Sequence, residues 1–211
     1  MPRPKKKKSN MLRIGISGCI GSGKSTVANI FRQLGIPVYV ADDRAKWLMT
    51  NHAEIRKGLV ALFGEQAYLP TGELNRSHIS AEAFRNKELL AQLNALVHPV
   101  VIHDFDVWSK SQAHTPYVLK EAALMFESDS YLQLNAVITV TSPEELRIHR
   151  TMMRSGLSKQ EVMARMQNQM SEDEKKSRSQ YIVVNDEINA LLPQVLQLHE
   201  QFKQQSQNSP E

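Results

Sequence analysis

Gly18-Cys19-Ile20-Gly21-Ser22-Gly23-Lys24-Ser25 fits the spacing G-x-x-x-x-G-K-[ST] of a phosphate-binding loop. Its glycines open backbone angles closed to other residues and let the main chain come close to a ligand. Successive inward N–H groups then form a concavity for an anion. A helix beginning at the end of the loop adds the partial positive charge of its N-terminus. Lys24 supplies a point charge for the β- and γ-phosphates, and Ser25 supplies a hydroxyl for Mg²⁺. The flanks suit the motif. Leu12, Ile14 and Ile16 alternate as in a short strand, and Val27, Ile30, Phe31 and Leu34 recur at helical spacing over residues 25–34. A nucleoside triphosphate is the expected ligand.

The rest of the chain fits an alternating α/β protein with a parallel sheet. Gly35 ends the first helix, residues 37–40 read as a second strand, and Asp42 and Asp43 follow its end. Ligands in such sheets bind beyond the carboxyl ends of the strands. Asp42 is therefore read as a general base or a ligand to a Mg²⁺-bound water, with helix capping as the competing role for either Asp. Residues 53–63 read as a helix ending at Gly64, residues 65–79 as a loop, and 80–97 as a helix interrupted near Arg85-Asn86. His98-Pro99 is expected to break that helix, with another running from 100 to 112. So much helix and loop before the next strand exceeds one crossover, and predicts an inserted helical subdomain for a second substrate. His98 can be read as an anion contact or as structural. Arg76, in the loop, reads as solvated.

Residues 117–121 form the next strand, and Glu121 near its end fits an acid acting on Mg²⁺ through water. Leu124, Met125 and Phe126 are either core or the wall of a pocket. Residues 135–141 and 181–185 are the last two strands, and Asn185 could hydrogen-bond a base edge. Ser142-Pro143-Glu144-Glu145, Ser158-x-x-Glu161 and Ser171-x-x-Glu174 carry the capping-box signature. They predict helices in series over about 143–179, rich in arginine, in the manner of a lid that closes over a phosphate site. Residues 188–203 form the closing helix, and 204–211 a polar disordered tail.

The 211 residues carry a net charge of +4, with five positive charges at Arg3 and Lys5 to Lys8. The basicity thus belongs to residues 1–10, read as a disordered solvated extension and not as a nucleic-acid face. No apolar run is long enough for a membrane span, and no secretory signal is recognised. The single cysteine excludes an internal disulfide. A cytoplasmic, monomeric protein with no nucleic-acid or membrane partner is expected. A guanine-type N-K-x-D motif, which a nucleotide-dependent switch would carry, is not found.

In order along the chain, these residues resemble the dephospho-CoA kinase family. The loop is close to the family's G-G-I-G-S-G-K-S-T, and G-I-P-V-Y-V-A-D to its G-x-P-V-I-D-A-D. His98-Pro99 matches an H-P pair, E-A-A-L-M-F-E resembles D-x-P-L-L-F-E, and R-T-M-M-R-S-G-L-S with R-M-Q-N-Q resembles R-x-x-x-R-x-G-x-S with R-x-x-x-Q. Y-I-V-V-N resembles Y-V-I-D-N. The resemblance implies the P-loop NTPase fold of the nucleoside monophosphate kinase type, with a five-stranded parallel sheet, an acceptor insert over about 53–113 and a lid over about 143–179, within one kinase domain over 11–203. It implies transfer of the ATP γ-phosphoryl group to the ribose 3′-hydroxyl of dephospho-CoA, with Mg²⁺. The alternative is a P-loop kinase of another small acceptor, a nucleotide or a sugar alcohol.

It also implies site roles. Asp42 would be the base, Lys24 the phosphate lysine and Arg150 the arginine that meets the transferring group. ATP would be held by Gly18, Cys19, Ile20, Gly21, Ser22, Gly23, Lys24, Ser25 and Thr26, with Asn185 by the adenine. Arg76, His98, Leu124, Phe126 and Glu127 would serve the acceptor, and Ser25 with Glu121 the metal. Val40, Glu121 and Val184 depart from the pattern: two lose a carboxylate, and Glu121 carries it on a longer arm.

Overall fold

Leu12–Ser17 form strand β1, buried along almost its whole length on both faces, as a central parallel strand must be. The computed structural model describes residues 11–112 and 114–208; the basic segment 1–10 lies outside them. The chain divides into two compact units. One comprises the residues up to Tyr39 and from Ser109 onward, the other Val40–Trp108.

In the first unit, β1 is followed by the loop and helix α1 (Lys24–Gln33). Strand β2 (Val38–Val40) begins here; β3 (Tyr117–Glu121), β4 (Ala136–Thr141) and β5 (Tyr181–Val184) complete a five-stranded sheet of order β2-β3-β1-β4-β5. The pairings described for β1, β3, β4 and β5 are all parallel. The register sets Ile16 opposite Glu121, Ser17 opposite Thr139 and Thr141 opposite Val184. The carboxyl ends of four strands therefore share one edge, the edge from which the loop departs. Ile14, Ile16, Leu119, Ile138 and Val183 pack with Val27 and Phe31 of α1 and with Phe202 of the closing helix α9 (Leu191–Asn208). Tyr117 sits between Phe31 and Phe202 at 6.2 and 5.3 Å between ring centres.

Helix α9 runs past 203 through Asn208, so residues 204–208 are helix and not tail. The cause is tertiary: Gln205 donates to the Tyr181 hydroxyl at 3.0 Å, and Ser206 is buried. On the other face of the sheet Lys120 is buried, and burial, helped by Arg13, pushes its ammonium down to about 8 from 10.5. Between these values the unfolded chain binds more protons, so stability rises with pH there. Lys120→Met is expected to remove this rise, leaving stability flatter between about pH 8 and 10.5 in thermal melts. An unchanged rise across that window would contradict this.

Helices α6 (Glu144–Ser155), α7 (Lys159–Gln167) and α8 (Glu172–Ser177) follow β4. The expected capping box is complete at Ser158, where the hydroxyl accepts from Glu161 N–H and the Glu161 carboxylate accepts from Ser158 N–H. Ser171 caps α8 with one half of the box, its hydroxyl accepting from Glu174 N–H. At Ser142 the box is absent. The helix starts one residue later than expected, so the cap position falls on Pro143, which has no side-chain acceptor, while the Ser142 hydroxyl accepts from Arg150 at 3.1 Å.

The second unit is helical. Helices α2 (Ala41–Asn51), α3 (Ala53–Phe63), α4 (Arg76–Arg85) and most of α5 (Lys87–Ser111) bury Leu48, Ile55, Leu59, Ile79, Val97 and Phe105. It starts at Val40 and so includes α2, ahead of the expected boundary at 53. Arg44 grips Asp104 with two hydrogen bonds of 2.7 and 2.9 Å. Gly58 lies against Leu96, where a Cβ would come within 2.6 Å of a methyl group. The predicted break at His98-Pro99 does not occur: Pro99 lies inside α5. Proline removes one N–H and crowds the preceding turn, but Val97, Val101 and Phe105 are buried on either side of it and hold the helix through.

Candidate active site

The loop turns back on itself through left-handed glycines, with φ of +78° at Gly21 and +93° at Gly23. A Cβ on Gly21 would strike the Arg147 carbonyl oxygen, and one on Gly23 would strike the Asn185 amide. Those two contacts show what the loop is built against: α6 on one side and the end of β5 on the other. Lys24 Nζ folds over the loop and donates to the carbonyls of Gly18 and Cys19 at 2.9 and 3.3 Å. Ile20 N–H donates to Gln169 Oε1 at 2.8 Å, which ties the loop to the segment after α7.

Ser25 Oγ donates to Glu121 Oε1 at 2.7 Å. The two residues named for the metal are thus in contact, Glu121 reaching from the end of β3. They offer hard oxygen donors only, as Mg²⁺ prefers, and Mg²⁺ needs few protein ligands when phosphates and water supply the rest. Among the described residues no cluster of three or more His, Cys, Asp or Glu could hold a metal by itself.

Asn185, just past β5, donates from Nδ2 to the Ser22 carbonyl at 2.8 Å. Arg150 of α6 donates to the Asn185 carbonyl at 3.2 Å, to Asn185 Oδ1 at 3.5 Å and to Glu187 Oε1 at 3.0 Å. Lys24, Ser25, Glu121, Arg150 and Asn185 therefore gather at one end of the sheet.

Two of the residues expected to serve the acceptor also make contacts within the fold. Phe126 is buried against Tyr131, with ring centres 5.3 Å apart. Glu127 pairs at 2.8 Å with Lys175 Nζ, whose side chain is 0% exposed, and accepts from Met170 N–H at 2.9 Å. Burial pulls the Glu127 carboxyl upward, but the hydrogen bonds from Lys175 and Met170 outweigh it and hold the group below its ordinary range. Its contribution is present above pH 4.5 and lost as pH falls through the lowered value. Glu127→Gln leaves a buried charge uncompensated and is expected to cost about 3–5 kcal/mol; unfolding curves near neutral pH within 1 kcal/mol of wild type would contradict it. Leu124 is exposed.

Asp42, Arg76 and His98 belong to the second unit. Asp42 lies in the first turn of α2, whose cap is Val40 with no side-chain bond, so neither Asp42 nor Asp43 caps it. Asp43 pairs with Lys46 at 2.7 Å. Arg76 is not in a loop: it is the first residue of α4, behind the cap Asn75, whose side chain accepts from His78 N–H. His98 is half-buried within α5.

Sequence reading placed Arg147 and Lys175 among the charges of the lid stretch, solvated for the most part, and gave Gln169 no role of its own. Arg147 is buried, donates to the Ser142 carbonyl at 2.9 Å and approaches Glu172 at 3.7 Å. A basic residue on a helix with a polar neighbourhood gives no sign of burial, so only the fold reveals these two cations as structural. Beside the loop, Cys19, Arg147, Met163, Met166 and Met170 line a cleft of about 630 Å³. Burial pushes the Cys19 thiol up, against the pull of Arg147 and Lys175, so it suits a wall better than a nucleophile.

Known proteins are similar to this chain over most of its length. A Porphyromonas gingivalis dephospho-CoA kinase is 37% identical over 202 residues, covering 95% of this chain and 99% of that one. A solved Thermus thermophilus protein superposes with a TM-score of 0.79 at 36% identity, covering 90% of this chain and 97% of the other. A dephospho-CoA kinase from Campylobacter jejuni, at 24% identity, shares the fold with a TM-score of 0.68 over 91% and 97% of the two chains. The family model for dephospho-CoA kinase matches residues 12–190, a span that takes in the loop, α6 to α8 and Asn185, and on this agreement the chain belongs to the dephospho-CoA kinase family.

Proposed function

We propose that this protein transfers the γ-phosphoryl group of ATP to the ribose 3′-hydroxyl of dephospho-CoA, giving CoA and ADP. The observation that carries the reading is the gathering of Lys24, Ser25, Glu121, Arg150 and Asn185 at the strand ends of a chain in this family. The loop N–H groups and Lys24 hold the phosphates, which requires Lys24 Nζ to exchange its two carbonyl partners for phosphate oxygens. Ser25 and Glu121 would hold Mg²⁺, which when bound neutralises phosphate charge. Asp42, two residues past β2, takes the proton of the 3′-hydroxyl as its oxygen bonds to phosphorus and ADP departs. Arg150 meets charge on the transferring group. Asn185 borders the adenine, and Arg76, His98, Leu124, Phe126 and Glu127 serve the acceptor.

Catalysis is then positioning and charge neutralisation, as phosphoryl transfer requires. The helices over 143–179 act as a lid. The setting proposed is the cytoplasm: among the described residues no helix is long and apolar enough to cross a membrane, and the lone thiol forms no internal disulfide. An acceptor screen tests the reading. ATP consumption should depend on dephospho-CoA and not on nucleoside monophosphates or sugar alcohols; the reverse preference would assign another acceptor.

A further inference from the structure

The turn after β5 holds its residue in a backbone conformation that residue disfavours. Glu187 has φ of +69°, in the left-handed region. Asp186 fixes the turn, its carboxylate accepting from the N–H groups of Ile188 and Asn189 at 3.0 and 2.8 Å and from Asn189 Nδ2 at 2.7 Å. Glycine would suit position 187 better on backbone grounds. What glutamate adds is a carboxylate, and that carboxylate lies 3.0 Å from Arg150.

Arg150 is otherwise bonded to neutral oxygens, those of Ser142 and Asn185. Glu187 supplies an anion to the guanidinium that is meant for phosphate. Carboxylate and phosphate are interchangeable partners for the guanidinium fork. The pair is also loosely held on one side, with Glu187 64% exposed against 25% for Arg150, and such pairs are weak and easily screened. Asn185 continues the chain of contacts to the loop carbonyl of Ser22. Strain at a residue whose side chain reaches a functional group suggests a role for that side chain.

We propose that Glu187 is a positioning residue for Arg150. Its carboxylate stands in for a phosphate anion while the nucleotide site is empty, holding the long side chain against Asn185, and yields when the triphosphate arrives. The proposal rests on the phosphate role given to Arg150 above, and its test needs no acceptor. ATP affinity is measured by calorimetry at low salt for the wild type, Glu187→Gln, Glu187→Gly, Arg150→Met and the Glu187→Gln/Arg150→Met double variant.

Removing the competing anion should tighten ATP binding about two- to fivefold, the range of an exposed ion pair. The gain should be shared by Glu187→Gly, shrink at high salt and vanish in the Arg150→Met background. Unchanged or weaker binding in Glu187→Gln overturns the proposal, as does a gain that survives loss of Arg150. A fall in Tm with affinity unchanged also overturns it, leaving a turn residue only. ATP binding that follows the expected pattern without transfer to dephospho-CoA would uphold Glu187 and refute the acceptor assignment alone.

Discussion

Arg150→Met is expected to lower kcat by about 10³-fold, the lower end of what an arginine on a transferring phosphoryl group contributes. The guanidinium is anchored from three directions, by Ser142, Asn185 and Glu187, so little side-chain entropy remains to be lost when it engages a phosphate. Methionine keeps the aliphatic stem that packs in α6 and removes the charge and the fork. Arg150→Lys should recover little, because an ammonium cannot bridge oxygens as a planar fork does. Ground-state ATP affinity should change far less than kcat, since the contact strengthens as charge moves to the leaving oxygen. A fall of less than tenfold would place Arg150 outside the reaction and return it to a structural role between α6 and the β5 turn.

The second large effect is expected at Asp42. Asp42→Asn should cut kcat by about 10²–10⁴-fold, the range of a lost general base, with ATP affinity nearly unchanged. The change is small in shape. Asp42 is exposed in the first turn of α2, whose cap is Val40. Removing a negative charge from a helix N-terminus costs about 1 kcal/mol or less, so the fold should survive and the loss should appear in the chemical step. Parallel loss of ATP binding and turnover would argue instead that Asp42 supports the nucleotide site.

Much of this site is legible in the sequence, because short-range physics dictates it. A strand, a glycine loop and a helix in series leave few other conformations, and β1 and α1 form where the alternation and helical spacing put them. Glu121 and Asn185 follow from counting to strand ends, and the register confirms their common edge for β1, β3, β4 and β5. What could not be read depends on partners distant in the chain. Ser142 looks like the Ser158 cap and is not one, because α6 starts at Glu144 and its cap position falls on Pro143. Lys175 looks like a solvated lid charge and is the buried partner of Glu127. Pro99 looks like a helix end and lies within α5, because tertiary burial on both sides outweighs one missing hydrogen bond. The glutamine-rich end looks disordered until Tyr181 offers Gln205 an acceptor. For Lys175, Pro99 and Gln205 a local rule was sound and a tertiary contact overrode it.

The most direct test of the account is the product of one incubation. Protein, ATP, Mg²⁺ and dephospho-CoA should yield CoA and ADP in equal amounts, with the new phosphate on the ribose 3′-oxygen by phosphorus and proton NMR, and no ADP when the acceptor is left out. ADP formation that ignores dephospho-CoA, or a phosphate placed on any other hydroxyl, would contradict it.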